Sequence, residues 1–167
     1  SPRSRTPFNA RLGGLGLTRP IPRRTIQHWP CRLQQPAKLR EIAAKVPTPF
    51  HLYDAGAIRA NARALAKAFA WNEGFREYFA VKATPNPAIL KLLQAEGCGV
   101  DCASLTELML SEACGFSGEE IMFSSNDTPA KDFVLADKLG ATINLDDITH
   151  IDFLEKTIGK IPETISC

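Results

Sequence analysis

Lys82 follows the apolar run Tyr78-Phe79-Ala80-Val81 and precedes the breaker Ala83-Thr84-Pro85-Asn86-Pro87. The run reads as a buried strand that Lys82 closes. Desolvation at the mouth of such a strand disfavours the charged form of a long cation. The uncharged amine is a nucleophile that condenses with a carbonyl group to a Schiff base. The alternative is a lysine whose stem packs while its head reaches water. Polar residues recur at equivalent places further on: Asp101 and Ser104, then Ser125, Asn126 and Asp127, then Asp146 and Asp147. Carboxylates beside Lys82 favour its charged form while burial opposes it, and the sequence leaves the balance open. Each polar group also has a local explanation. Ser104, Asp127 and Asp147 suit the caps of following helices. Glu107, three residues after Ser104, either completes a capping box or turns its carboxylate toward the same end of the strands. His150 lies on a helical face and reads as a surface or core residue, while His28 and His51 show no partner. No Ser-His-Asp or paired-carboxylate arrangement stands out.

The elements that must position these groups follow a steady rhythm. Pro36 suits the first turn of a helix carrying Leu39, Ile42, Ala43 and Val46, which Pro47 and Pro49 end. Phe50-His51-Leu52-Tyr53 reads as a short strand. Asp54 then caps a helix whose inward stripe is Ile58, Ala62, Leu65 and Phe69. Strands are expected to begin near Tyr78, Gly99, Ile121, Thr142 and Thr164, in steps of 21, 22, 21 and 22 residues. Helices fill the intervals at Pro87–Glu96, Leu105–Cys114, Pro129–Leu139 and Ile148–Ile158, with Gly97, Gly115 and Gly140 as stops. Constant strand–helix units imply parallel strands with right-handed crossovers, and a short steady unit favours a closed (β/α) barrel. No glycine-rich dinucleotide fingerprint follows any strand. A barrel needs eight strands and typically about 250 residues. The expectation is therefore an α/β fold, the N-terminal part of a (β/α)8 barrel, with four full units and the start of a fifth strand at Thr164–Cys167. In such a barrel the strand-end groups all face one rim.

Charge divides the chain. Residues 1–40 hold nine Lys or Arg and no acid, whereas residues 41–167 hold eleven basic and all eighteen acidic residues. The acidic domain argues against a nucleic-acid surface. No apolar run is long enough to cross a bilayer, and the start lacks the apolar core of a secretory signal. Residues 1–33, with seven arginines and five prolines, read as a disordered basic segment. Its composition suits an organelle transit peptide and, equally, a disordered tail or translated upstream sequence. Residues 34–167 form the incomplete barrel domain. The five cysteines lack zinc-site spacing, fit a reducing compartment, and give no reason to expect a metal.

Three segments carry a resemblance. Thr48-Pro49-Phe50-His51-Leu52-Tyr53-Asp54, EYFAVKATPNP at 77–87 and GVDCASLTEL at 99–108 resemble the barrel-type, fold type III pyridoxal-phosphate decarboxylases. That group comprises the diaminopimelate, ornithine and arginine decarboxylases, with alanine racemase more distant. The likeness runs from about residue 36 to the end. Ile121-Met122-Phe123-Ser124-Ser125-Asn126 and Ile143-Asn144-Leu145-Asp146-Asp147 look most like a diaminopimelate decarboxylase branch. The resemblance implies that Lys82 holds pyridoxal 5'-phosphate as a Schiff base. It also implies that Asp101, Ser104 and Glu107 line the cofactor pocket, the two acids receiving the lysine when substrate displaces it. Thr84 stands where the family often has Asn. The family's ring-stacking histidine, glycine-rich phosphate loop, pyridine-facing glutamate and C-terminal β-domain would lie beyond Cys167. A chain ending there is expected to be inactive by itself.

The resemblance implies decarboxylation of meso-diaminopimelate to L-lysine by a homodimer with a small amino-acid substrate, and no nucleic-acid or membrane partner. Alternatives are an ornithine- or arginine-type decarboxylase of polyamine synthesis and a non-catalytic single-barrel pyridoxal-phosphate-binding protein. A Schiff-base aldolase would share the lysine but not need the VDCAS…E motif. The location expected is a plastid if residues 1–33 are a transit peptide, and the cytoplasm otherwise.

Overall fold

The computed structural model describes residues 35–167. The basic segment read at 1–33 lies outside them. Among the described residues, helices α1 (Pro36–Lys45) and α2 (Ala55–Ala68) precede an alternating series. The series runs β1 (Tyr78–Ala80), α3 (Pro87–Gln94), β2 (Gly99–Cys102), α4 (Leu105–Cys114), β3 (Ile121–Ser124), α5 (Ala130–Lys138), β4 (Thr142–Asn144), α6 (Thr149–Ile158) and β5 (Ile165–Ser166). The five strands form one sheet in the order β1-β2-β3-β4-β5, and every adjacent pair is parallel. A doubly wound sheet reverses its strand order at a switch point. This order never reverses, so the units wind in one direction, as they do around a barrel.

Local chemistry explains the boundaries. Asn86 accepts the Ala88 amide at 2.9 Å, and Pro87 opens α3 with no amide to satisfy. Asp54 accepts the Ala57 amide at 3.0 Å and so caps α2 as expected. Gly97, Gly115 and Gly140 adopt φ of 87°, 96° and 70°, the left-handed values that let a helix end and the chain turn into the next strand.

Phe50–Tyr53 is not a strand. A strand exists through its partner, and among the described residues no strand lies beside these four, which remain exposed or half-buried. The stripe expected on α2 also holds only in part. Ile58 and Ala62 pack on Ile89, Leu93 and Cys98, whereas Leu65 and Phe69 stay exposed. Phe69 stacks on Phe75 instead, with ring centroids 4.5 Å apart. Glu96 fastens α2 to the end of α3, accepting Arg63 Nε at 2.6 Å and Arg59 Nη1 at 2.9 Å. Hydrogen bonds from Arg63, then Arg59, hold its carboxyl below the ordinary range.

The two faces of the sheet differ. Val100, Cys102, Ile121, Phe123 and Ile143 alternate toward the helices and are fully buried there with Leu90, Leu108, Phe133 and Leu154. Asp101, Met122, Ser124, Thr142 and Asn144 take the opposite, half-buried face. The apolar set therefore builds the core, and the opposite set, polar except for Met122, is left for chemistry.

Gly99 sets the spacing at the start of β2. A Cβ there would lie 2.6 Å from the Glu120 carbonyl oxygen and 2.7 Å from the Tyr78 ring. The ring has little room to yield, because Tyr78 Oη donates to the Glu119 carbonyl at 2.7 Å. Gly99→Ala is expected to destabilise the protein by about 1–3 kcal/mol through this overpacking. Urea unfolding of the two proteins measures it, and an unchanged midpoint would refute it.

Candidate functional site

Strand β1 stops at Ala80, and Val81–Ala83 form a single 3-10 turn. The turn buries Val81 completely and leaves Lys82 exposed at the carboxyl end of the strand. The sequence reading has Lys82 close the strand, and the structure corrects this: the strand ends at Ala80, and Lys82 lies in the turn after it. The apolar anchor is Val81, and the amine faces an open rim. Thr84 closes the turn, its amide donating to the Val81 carbonyl at 3.1 Å.

Asp101 comes to the same rim from the neighbouring strand. It pairs in register with Ala80, two residues before Lys82, and lies on the half-buried face. Its Oδ1 is buried with no hydrogen-bond partner among the described residues. Burial pushes its carboxyl above the ordinary range, the Lys82 charge opposes this, and the Glu107 charge adds to it. Lys82, Asp101 and Glu107 thus form one electrostatic unit.

Glu107 and Ser104 are bound to each other. The Ser104 hydroxyl donates to Glu107 Oε1 at 3.0 Å, and the Ala103 amide donates to Glu107 Oε2 at 3.0 Å. Ser104 stands at the N-cap of α4 but makes no side-chain cap bond, so the capping box suggested by the sequence does not form. The first turn of α4 is instead tied by Asp132, whose Oδ2 accepts the Leu105 amide at 3.0 Å. Sequence reading missed Asp132. An acid in the first turn of α5 signals an exposed residue facing the helix dipole, yet this one is 4% exposed.

The remaining rim residues do not join this group. Asp127 does not cap α5, whose N-cap is Pro129 without a side-chain bond. Ser125 is buried, and its carbonyl accepts the Thr128 hydroxyl. Asp147 accepts the Thr149 hydroxyl and the Thr149 amide, which hold its carboxyl below the ordinary range. Asp146 Oδ1 lies 3.4 Å from His150 Nδ1, and the His150 ring meets Phe133 edge-on at 6.2 Å. Asn144 Nδ2 donates to Ser124 Oγ at 3.3 Å on the face that carries Asp101. This pair was also missed, although strand alternation places both residues opposite the buried Phe123 and Ile143. Cys102, inside the same sequence motif, is no nucleophile: burial pushes its thiol up to about 12, against the Ser111 hydrogen bond.

An exposed primary amine beside a carboxylate with an unpaired buried oxygen fits a cofactor that carries an aldehyde and a hydrogen-bond donor. Lys82 supplies the nucleophile, and Asp101 supplies the vacant acceptor.

The strain at Asp101 has a measurable sign. Its folded-state value lies above 3.8, so between the two values the folded protein binds more protons than the unfolded chain. Its contribution to stability is lost as pH rises from 3.8 through the raised value. Asp101→Asn is therefore expected to raise the melting temperature of the cofactor-free protein at pH 7, with a smaller gain at pH 4. Its cofactor affinity should fall. Equal melting temperatures at pH 7 would refute the assignment.

Residues 55–165 match the family model described as pyridoxal-dependent decarboxylase, pyridoxal binding domain. Protein TabA of Pseudomonas amygdali pv. tabaci is 50% identical over 114 residues, which cover 68% of this chain and 27% of that protein. The diaminopimelate decarboxylase of Deinococcus radiodurans is 35% identical over 108 residues, 65% of this chain and 28% of that one. The crystal structure of diaminopimelate decarboxylase from M. jannaschi superposes with a TM-score of 0.66 at 28% identity, covering 70% of this chain and 28% of that one. The chain thus spans under a third of the length of these relatives.

Proposed function

The chain belongs to the pyridoxal-dependent decarboxylase family, and from that premise we propose that the protein carrying it decarboxylates meso-diaminopimelate to L-lysine, working as a homodimer. The cofactor is pyridoxal phosphate. When bound, it supplies the electron sink that stabilises the charge left by a departing carboxylate. The observation that carries the reading is the placement of Lys82, two residues past Ala80, within electrostatic reach of Asp101, which pairs with Ala80 across β1 and β2 at the carboxyl rim. Lys82 is the amine that would bond the cofactor's aldehyde carbon. Asp101 offers Oδ1 to a donor on the bound group. Glu107, held by two donors of its own loop, keeps a second carboxylate within electrostatic reach of Asp101, where it would favour a cation at the rim. Val81, fully buried, anchors the backbone of the turn that carries Lys82.

The choice of diaminopimelate rests on the Ile121–Asn126 and Ile143–Asp147 segments and on relatives of that name. Carbon dioxide release should be measured for the natural-length protein with diaminopimelate, ornithine, arginine and lysine in separate reactions. Release from diaminopimelate alone is expected. Release from ornithine alone would overturn the substrate. Cofactor binding without release from any of them would overturn the decarboxylase reading in favour of a binding protein.

A further inference from the structure

The first turn of α4 carries two of the site residues, and its bonding departs from what its own sequence favours. Ser104 and Glu107 could cap the helix locally, at no cost in buried charge. They bond to each other and to Ala103 instead. The Leu105 amide is given to Asp132, which reaches over from α5, 27 residues further along the chain. Asp132 is 4% exposed, and its Oδ1 is buried with no hydrogen-bond partner among the described residues. A carboxylate buried with one oxygen unpaired is destabilising. As a cap alone, Asp132 does not replace Ser104, because an N-cap side chain accepts the second or third helical amide, whereas Asp132 takes the first, that of Leu105. The cost is understandable if the start of α4 is held from behind while Ser104 and Glu107 bind each other at the rim.

We propose that Asp132 is a positioning residue, which anchors the Leu105 amide from behind so that Ser104 and Glu107 lock together and present the Glu107 carboxylate beside Asp101 and Lys82. The functional half of this assignment rests on the cofactor site described above. The structural half does not. Without the anchor, the first turn of α4 frays, and the Ser104–Glu107 pair loses its fixed distance from β2.

The test uses the natural-length protein with Asp132→Ala, and with Asp132→Asn, which keeps an oxygen able to accept the amide. Hydrogen exchange of the cofactor-free proteins reads the loop, and titration with pyridoxal 5'-phosphate reads the site. Asp132→Ala is expected to speed exchange at residues 103–107 by about five- to ten-fold, the scale of a lost cap. It should weaken cofactor binding by about ten-fold, a mispositioned group being costly. Asp132→Asn should restore both to within about three-fold of the parent, because a retained acceptor keeps the bond. Faster exchange with unchanged cofactor affinity would overturn the assignment and leave a plain helix cap. Unchanged exchange would overturn it as well, since the anchor would then hold nothing. If the alanine variant does not fold, Asp132→Ser, polar but too short to span the helices, is held to the same two readouts. A parent protein that binds no pyridoxal phosphate would sink the decarboxylase reading and the site half of this one, and exchange would still decide the anchor.

Discussion

Lys82→Ala is expected to abolish covalent cofactor attachment and to lower decarboxylation by on the order of 10³-fold or more, the scale on which a covalent catalytic group is lost. The loss should be one of chemistry and not of folding. Lys82 is exposed, and its neighbour Val81, fully buried, carries the packing of the turn. Substitution of an exposed side chain changes stability by about 0.5 kcal/mol or less. Lys82→Arg keeps the charge beside Asp101 but has no amine able to condense with an aldehyde. It should therefore be as inactive as the alanine variant, which separates the nucleophile from the cation. Borohydride reduction of the holoenzyme followed by peptide mapping checks the assignment directly. Label on the peptide containing Lys82 is the expected outcome. Label on another lysine, or turnover retained by either variant, would refute the role.

What the sequence made legible divides along a physical line. Signals carried by neighbouring residues were readable. The strands β1 to β4 begin at Tyr78, Gly99, Ile121 and Thr142, where the repeat places them, and α4 spans Leu105–Cys114 as expected. Glycines with positive φ and proline at a helix start act within a few residues, so they leave local traces. What depends on a partner far along the chain was not readable. Phe50–Tyr53 has the composition of a strand and lacks a neighbouring strand. The run through Val81 stays apolar past the last strand residue, so alternation could not separate the end of β1 from the turn that exposes Lys82. Ser104 and Glu107 spell a capping box, but their side chains bond to each other, and Asp132 from α5 takes the Leu105 amide. The site shows the same division. Lys82, Asp101, Ser104 and Glu107 belong to short motifs, and the structure brings them to one rim. Asp132 and the Ser124–Asn144 pair matter through contacts that cross between elements.

Phe133→Ala is expected to cost about 3–5 kcal/mol, the range for a large aromatic side chain removed from a packed core. Phe133 is 1% exposed and meets three rings edge-on: Phe123 at 6.1 Å, Phe153 at 5.9 Å and His150 at 6.2 Å. Those rings belong to β3 and α6, so one side chain ties α5 to the sheet and to the next helix. A typical domain is stable by only about 5–15 kcal/mol, so this loss is a large share of the whole. Val134, the next residue, points outward at 51% exposure, and Val134→Ala should stay within about 0.5 kcal/mol of the parent. Urea unfolding of the cofactor-free proteins compares the two. Equal midpoints for the two variants would show that the aromatic cluster is not the anchor of α5. The cluster also bears on the site, because Phe133 follows Asp132 directly and fixes the helix from which Asp132 reaches Leu105. Phe133→Leu, which retains most of the volume, should cost about 1–1.5 kcal/mol and leave cofactor affinity nearly intact. If Phe133→Leu weakens cofactor binding as strongly as Asp132→Ala while remaining folded, the placement of α5, and not the carboxylate alone, controls the rim.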